Sequence, residues 1–413
     1  MPNYHQAWGG AEQVAYRYIR LLVDSGKVEV LVGSVKPQKE VNENFKFFRI
    51  RVVEDFFPAK YHVYITGLKN RLLSFDPLSF FYLIYLFIKE KPDVVHIHKI
   101  NKISFSAILA AKLVGLKTVM GIYDYWYFCP AGMLIDQKGN LCVKFHGAWC
   151  KNCDAVGDFR FLLSFMAPIR RQIFDFFYRH VDAFAVLSAA QEKFLQRYGI
   201  SKKKIFLVRQ VFNFNQQKTN NTKINNNMIL FTGWLDQRKG LHVVIEAMPK
   251  ILKNLPMAKL FVLKLEGIKS YEDKIMERIS ELKLDNNIIF FGRLTKEEFQ
   301  KYLKEAAVVV VPEQWENMSP VIVVEGMANG KVMVASKIGG IPEFIDDGKN
   351  GFLVERDKSD DWADKIVRIL KNQKKAQEIG EQAKKDIEKL CNQEKILKDL
   401  LKLYERINEK STN

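Results

Sequence analysis

The feature that most constrains the fold is an alternation of short apolar runs with longer helical patterns. The β-rich apolar runs, typical of buried parallel strands, are Val94–Ile97, Met228–Thr232 and Ala307–Val311. The amphipathic helical patterns cover Ala11–Val23, Lys239–Leu255 and Lys296–Glu305. Because neighbouring parallel strands need a crossover connection, usually a helix, this alternation predicts a doubly wound α/β architecture.

The chain of 413 residues is long enough for two domains. A polar stretch, Gln216–Asn227, has hardly any apolar side chain and cannot contribute to a core, so it predicts a linker between them. We therefore expect an N-terminal domain over residues 1–214 and a C-terminal domain over residues 228–385. No strand pattern precedes the helical pattern at Ala11–Val23, so the first strand of the N-terminal domain is expected to be missing.

Net charge restricts the partners only loosely. The 64 basic and 47 acidic residues give +17, which favours phosphorylated ligands, lipid headgroups or nucleic acid without selecting one. No recognised nucleic-acid-binding module is visible, so nucleic acid is not an expected partner. Residues 1–10 lack a signal-peptide pattern, and the longest apolar run, Phe80–Ile88, is far short of the roughly 20 residues that span a bilayer. We expect a cytoplasmic protein, either free or peripheral on the inner face of the cell membrane.

The densest group of candidate functional residues lies in the C-terminal half. Trp315–Pro320 follows a strand that ends at Pro312 and precedes a helical pattern that carries Glu325. The first N–H groups of a helix have no intrahelical partner and bind anions, and a carboxylate can accept the two hydroxyls of a ribose. Downstream, Gly339-Gly340 permits a second close approach of the backbone.

The run from Trp315 to Val354 closely resembles the donor-site signature of family 4 (group 1) retaining glycosyltransferases, which have the GT-B fold. Three further segments match the family in order along the chain: Gly9–Glu12, Pro92–His98, and Gly233 followed by Arg238–Gly240. The resemblance implies two Rossmann-like domains facing across a cleft, with the C-terminal helix at 386–413 packing back on the first. It also implies a hexosyltransferase that moves a sugar from a nucleoside diphosphate to an acceptor hydroxyl with retention. The acceptor would be a surface polysaccharide or a lipid-linked glycan.

The resemblance also assigns roles to residues. Glu325 is expected to hold the donor ribose, and Lys239 and Arg238 to neutralise the diphosphate, so that the donor needs no metal. The other donor-binding candidates are Gly9, Gly10, Gly233, Met318, Ser319 and His98. The catalytic candidates are Glu316, Asn317, Tyr123 and Asp124.

Three positions depart from the family pattern. Asn317 stands where the first glutamate of the paired-glutamate motif is usual, Trp234 replaces an arginine, and Tyr123 replaces a histidine. These departures motivate an alternative, a sugar-nucleotide-binding GT-B protein without transfer activity.

Cysteines form a second group of candidates. Cys150 and Cys153 have the spacing of a metal half-site, and Cys129 and Cys142 would complete four thiolates. We predict a structural zinc or iron–sulfur site here, and the alternative is a set of reduced cysteines that pack as small apolar residues.

Two further features remain open. His96 and His98 are expected to point to opposite faces of their strand. His98 is expected to reach the cleft, and a pair on opposite faces cannot bind one metal ion. The stretch Phe159–Tyr178 is rich in aromatic residues and includes Arg160, Arg170 and Arg171. It has two interpretations, a core-facing helix with solvated arginines or a contact with an anionic membrane surface.

Overall fold

The computed structural model describes residues 9–35, 44–62, 64–66, 69, 74–99, 102–125, 128–129, 132, 134–135, 142, 172–214, 223–292 and 294–409. The chain divides into two compact units. The first comprises Met1–Val211 together with Gln393–Asn413, and the second comprises Phe212–Asn392.

The first unit contains parallel strands in two sheets. One sheet pairs β1 (Leu31–Ser34) with β2 (Lys46–Arg49). The other has the order β3-β4-β5-β6, formed by Val94–Ile97, Lys117–Gly121, Ala183–Val186 and Ile205–Leu207. The described helices of this unit include α1 (Gly10–Ser25), α2 (Pro77–Glu90), α3 (Ser106–Leu113) and α4 (Ala189–Arg197), with short 3-10 helices at Val53–Phe56, Ala59–Tyr61 and Lys202–Lys204.

The second unit is built on one six-stranded parallel sheet. Its strands are β7 (Asn225–Leu235), β8 (Lys259–Gly267), β9 (Ile288–Phe291), β10 (Ala306–Val311), β11 (Val332–Ser336) and β12 (Phe352–Val354). Its helices are α5 (Leu241–Asn254), α6 (Lys269–Glu281), α7 (Lys296–Glu305), α8 (Val321–Ala328), α9 (Ser359–Lys371) and α10 (Gln373–Leu390), with short 3-10 helices at Gln237–Lys239 and Ile341–Glu343.

The strand order of the second unit locates a binding edge. The order is β12-β11-β10-β7-β8-β9, so the chain runs outward from β7 on one side, then returns to β10 on the other. Ligands of open parallel sheets bind outside the carboxyl ends of the strands at such a switch point. The segments that follow β7 and β10 are therefore where a ligand is expected.

Local sequence explains why these elements form. Thr295 and Glu298 form a capping box at the start of α7, since the Thr295 hydroxyl accepts from the Glu298 N–H and the Glu298 carboxylate accepts from the Thr295 N–H. The strands β7 and β10 carry the predicted apolar runs, most of whose side chains are buried. Trp362 of α9, fully buried, packs in the same core. The expected α/β fold with parallel sheets in two domains is confirmed.

The C-terminal tail forms two helices. α10 ends at Leu390, and α11 (Gln393–Glu409) begins three residues later and belongs to the first unit. Between them, the buried Cys391 accepts a hydrogen bond from the Phe212 N–H through its carbonyl, at 3.4 Å. α11 contacts α1 within the first unit.

Part of the stretch Phe159–Tyr178 lies outside the described residues, including its three arginines. In the helical segment at 172–180, Phe174 and Tyr178 are buried, and the Phe174 ring lies 4.5 Å from the ring of Phe105. This end of the stretch contributes to the core of the first unit. Across the described parts of the chain, no helix is both long and apolar enough to cross a bilayer.

Candidate active site

The turn after β7 holds the first predicted cation in place. Asp236 is almost fully buried, and its Oδ1 accepts the Arg238 N–H at 2.9 Å, which caps the 3-10 helix at Gln237–Lys239. The same carboxylate also accepts from the Arg238 guanidinium, with Nη2 2.7 Å from Oδ2 and Nε 3.2 Å from Oδ1. This bidentate pairing fixes the orientation of the guanidinium.

Gly240 brings this turn against the segment that follows β10. It has φ +69°, and a Cβ on it would lie 1.8 Å from the Pro312 carbonyl oxygen. The Gln314 N–H donates to the Arg238 carbonyl at 2.7 Å across the same junction. Only glycine fits here, because a side chain would force the two segments apart.

Glu313 is the centre of the cluster. It is 2% exposed, and its Oε1 accepts from Lys239 Nζ at 2.6 Å and from Asn317 Nδ2 at 2.9 Å. Its Oε2 accepts from the Trp315 indole N–H. The sequence interpretation missed both Glu313 and Asp236. The available signal was that each is an acidic residue just after a strand, at the edge where a parallel sheet binds its ligands.

Trp315 joins the two cations. The centre of its ring lies 5.3 Å from the Arg238 guanidinium carbon and 5.8 Å from Lys239 Nζ. Cations at this distance are attracted by the ring. Arg238 and Lys239, both predicted to bind the diphosphate, are thus held together at the carboxyl ends of β7 and β10.

The structure explains the asparagine at position 317. A second carboxylate there would lie against that of Glu313, and like charges at such a distance repel. The Asn317 carbonyl also accepts from the Gly340 N–H at 2.8 Å. Gly339 has φ +58°, and a Cβ on it would lie 2.3 Å from the Asn317 carbonyl oxygen, so the glycine loop packs directly on this residue.

The other predicted donor-site residues lie on neighbouring elements. Met318 and Ser319 are buried in the loop before α8, and the Ser319 N–H donates to Asn317 Oδ1 at 3.3 Å. Glu316, in the same loop, and Glu325, in the second turn of α8, are half-buried. Gly233 is near the end of β7 and pairs with Lys264 of β8.

Within the first unit, the predicted residues gather at the carboxyl ends of β3 and β4. Gly9 caps α1 and Gly10 begins it. The largely buried Glu12 forms an ion pair with Lys99, two residues after β3, which ties the start of α1 to that strand end.

His98 follows β3, and its Nδ1 lies 2.7 Å from the Tyr123 hydroxyl, after β4. His96 Nδ1 lies 2.8 Å from the Tyr404 hydroxyl of α11, and the two histidine rings stack with centres 4.0 Å apart. The expectation that the histidines face opposite sides was therefore wrong, because side chains two residues apart on a strand share a face.

Burial determines the protonation states of His96, His98 and Tyr123. Desolvation lowers the pKa of His96 to about 3, and it lowers the pKa of His98 well below the usual value. Desolvation also raises the pKa of Tyr123 well above its usual value. The three rings are therefore neutral near neutral pH, and Tyr123 can exchange hydrogen bonds but cannot act as a base. Asp124, the adjacent catalytic candidate, is half-buried.

The neutral histidines should make the stability of the folded protein depend on pH. In the unfolded chain a histidine takes up a proton below about pH 6.5, whereas His96 and His98 stay neutral in the folded protein. Their contribution to stability is therefore present above that pH and is lost as the pH falls. Each contributes a slope of up to about 1.4 kcal/mol per pH unit. In urea unfolding, His96→Gln should reduce the loss of stability between about pH 7 and about pH 5. His180→Gln, at an exposed site, is the control, and an equal pH dependence in His96→Gln and the wild type would contradict the prediction.

The cysteine prediction is only partly covered by the structure. Cys129 and Cys142 are half-buried, and Cys129 forms no disulfide. Cys150 and Cys153 lie outside the described residues. Among the residues that the structure does describe, no three His, Cys, Asp or Glu side chains are arranged to hold a metal ion. The four-thiolate site stays a prediction.

Comparison with known proteins identifies the family. The model of "Glycosyltransferase Family 4" matches residues 8–210, and that of "Glycosyl transferases group 1" matches residues 213–386. The two matches cover nearly the whole chain, which therefore belongs to the family 4, group 1 glycosyltransferases.

Individual relatives match only part of this chain. An uncharacterized glycosyltransferase of Methanocaldococcus jannaschii is 29% identical over 44% of this chain and 49% of its own length. The poly(ribitol-phosphate) alpha-N-acetylglucosaminyltransferase of Staphylococcus aureus is 31% identical over 40% of this chain and 33% of its own length. These matches span half or less of each relative. The crystal structure of Anabaena HepE in complex with UDP has a TM-score of 0.70 at 16% identity, over 97% of each chain, which shows a shared GT-B fold.

Proposed function

We propose that this chain is a hexosyltransferase that takes a sugar from a UDP-sugar and transfers it, with retention, to an acceptor hydroxyl. The observation that carries the proposal is the pairing of Arg238 and Lys239 around Trp315 at the switch point of the second sheet. Related structures support UDP as the nucleotide, since Anabaena HepE was crystallised with UDP and with UDP-glucose.

The chemistry of the leaving group explains why cations are needed. When the bond between the sugar and the diphosphate breaks, negative charge builds on the phosphate oxygens, and fixed positive groups stabilise it. Lys239 and Arg238 supply that charge in our proposal, and the N-terminal amides of α8 add to it. Glu325 would accept hydrogen bonds from the ribose hydroxyls. No step of this scheme requires a metal ion on the diphosphate.

For the acceptor, we propose a surface polysaccharide or a lipid-linked glycan. The Staphylococcus aureus relative is named for its action on a poly(ribitol-phosphate). The net charge of +17 suits such anionic acceptors or a membrane that carries them.

Donor turnover separates this proposal from a sugar-nucleotide-binding protein without activity. Purified protein should bind UDP in calorimetry and should release UDP from UDP-glucose or UDP-N-acetylglucosamine, slowly without an acceptor and faster with one. Tight UDP binding without any release of UDP from a panel of UDP-sugars would favour the binding protein. Absence of UDP binding would contradict both.

A prediction follows for the ribose contact. Glu325→Ala should weaken UDP binding by about 1.5–3 kcal/mol for each charge-assisted hydrogen bond that is lost. Calorimetry with UDP measures this directly, and Glu297→Ala, at an exposed acidic residue of the same unit, is the control. An unchanged UDP affinity in Glu325→Ala would remove Glu325 from the ribose site.

We also propose that Cys129, Cys142, Cys150 and Cys153 bind a structural zinc or iron–sulfur group. In support, Cys129 is a thiol and not part of a disulfide, and the Cys142 N–H donates to the Leu134 carbonyl at 2.7 Å, which fixes the backbone of that ligand. Protein purified without chelator should contain zinc or iron, and chelation should lower the melting temperature, because release of a thiolate-bound metal is coupled to local unfolding. Elemental analysis that finds neither metal would rule the site out.

A further inference from the structure

Two neighbouring elements of the first unit carry large aromatic and aliphatic side chains that are exposed, and α2 is the first of them. On α2, Phe81, Tyr85 and Ile88 are 68%, 58% and 56% exposed, and their spacing of four and three residues places them on one face. The opposite face of α2 is buried through Phe80, Leu83, Leu86 and Phe87. A helix that is apolar all round is normally buried all round. We therefore expect the exposed face of α2 to contact a further partner.

A second element next to α2 is equally apolar on its outside. The segment at residues 53–62 and 64, which contains two 3-10 helices, exposes Phe56, Phe57, Tyr61 and Tyr64, and Phe56 is 71% exposed. The Val53 N–H donates to Oδ2 of Asp76, the residue that caps α2, and the 3-10 helix at Val53–Phe56 contacts α2.

A buried ion cluster holds the two elements together. Lys69 Nζ lies 2.6 Å from Glu54 Oε2 and 2.6 Å from Asp76 Oδ2, and all three side chains are almost fully buried. Glu54 belongs to the aromatic segment and Asp76 to the start of α2. The ion cluster therefore fixes the position of the aromatic segment relative to the start of α2. We call the exposed side chains of these two elements the aromatic surface.

Cations lie among the aromatic residues. Lys60 Nζ is 4.9 Å from the centre of the Tyr61 ring, and Lys89 Nζ is 5.8 Å from that of Tyr85. Neither lysine pairs with a carboxylate in the described part of the chain, whereas the nearby Asp55 and Glu90 are paired with Arg49 and Lys46. Tyrosine and lysine beside exposed Phe and Ile are typical of surfaces that lie in a membrane interface.

We propose that the aromatic surface inserts into the interfacial region of an anionic lipid bilayer. Its rings and Ile88 would enter between the headgroups, and Lys60 and Lys89 would contact lipid phosphates. A second copy of the chain fits less well. A two-fold interface would bring the aromatic surfaces of both copies together, so the lysines of one copy would meet the positively charged surface of the other. The surface differs from the stretch Phe159–Tyr178, whose described end lies in the core. The proposal does not depend on the sugar that the protein transfers.

Vesicle sedimentation of the full chain tests the proposal. With vesicles of equal parts phosphatidylcholine and phosphatidylglycerol at low salt, the wild type should sediment, and it should bind less as salt rises. The triple variant Phe81→Ser, Tyr85→Ser, Ile88→Ser should bind at least about tenfold more weakly because less apolar surface enters the interface. The pair Lys60→Glu and Lys89→Glu should also lose about tenfold, since the attraction to anionic lipid becomes repulsion.

The second unit offers a matched control. Met257→Ser, Ile268→Ser and Met276→Ser remove side chains that are 68%, 54% and 51% exposed, and this variant should bind like the wild type. Equal sedimentation of the wild type and both variants of the aromatic surface would overturn the proposal, as would a wild type that ignores anionic vesicles. A dimer of the wild type that the triple variant loses, without any vesicle binding, would identify a second copy as the occupant and would also overturn it.

Discussion

Lys239→Met should lower the turnover of the donor by about a hundredfold to a thousandfold, because it removes a fixed charge from the site where the leaving group becomes negative. Lys239 Nζ lies 2.6 Å from the buried Glu313 carboxylate and next to the ring of Trp315, so its position is set before any donor binds. Release of UDP from a UDP-sugar measures turnover, and calorimetry with UDP measures binding.

A loss of turnover in Lys239→Met could also come from instability, since the variant leaves Glu313 buried without its cation. Breaking a buried pair in this way costs about 3–5 kcal/mol of folding free energy. The double variant Lys239→Met with Glu313→Gln separates the two effects. It should recover part of the melting temperature because both charges are gone, yet its turnover should stay low. Recovery of turnover together with stability would show that Lys239 has only a structural role.

Lys69→Met should produce the largest loss of stability in the first unit. The lysine is the shared cation of Glu54 and Asp76, and without it two buried carboxylates face each other with no countercharge. The expected cost is about 3–5 kcal/mol, seen as a lower urea midpoint of unfolding.

The exposed pair of Lys46 and Glu90 provides the comparison. Lys46→Met should shift the urea midpoint far less than Lys69→Met, because solvent screens an ion pair whose lysine is 59% exposed. Adding Glu54→Gln to Lys69→Met should restore part of the lost stability, since only one buried charge then remains. If Lys69→Met shifted the urea midpoint no more than Lys46→Met, the buried cluster would not hold the aromatic segment to α2.

Several elements were predictable because their causes are local. The strand Val94–Ile97 and the helix Lys296–Glu305 have the predicted bounds in the structure, since an apolar run and a capping box act within a few residues. The strand Met228–Thr232 was predicted too short, because the first residues of β7, Asn225–Asn227, are polar and exposed. The C-terminal helix was expected to begin at residue 386, whereas α10 continues to Leu390 and α11 begins at Gln393, after Cys391, whose carbonyl accepts from the N–H of the distant Phe212.

The histidine pair shows an error of another kind. The sequence already determined that His96 and His98 share a face, since β side chains repeat every two residues, and the interpretation misapplied that period. The sequence did not determine which hydroxyls meet the two rings. Tyr123 and Tyr404 come from β4's carboxyl end and from the C-terminal helix, hundreds of residues apart along the chain, and only the fold of the first unit brings them together.

By itself, the sequence predicted the α/β class, the family and the two cations of the candidate donor site, because each follows from patterns and motifs that can be recognised without knowing which segments meet in space. Only the tertiary structure decided what holds those cations. Glu313 lies 74 residues from Lys239, and the two meet because β10 returns beside β7 in the sheet. The same is true of the glycine loop at Gly339, which packs on Asn317. Such contacts depend on the order of the strands, and no local pattern encodes that order.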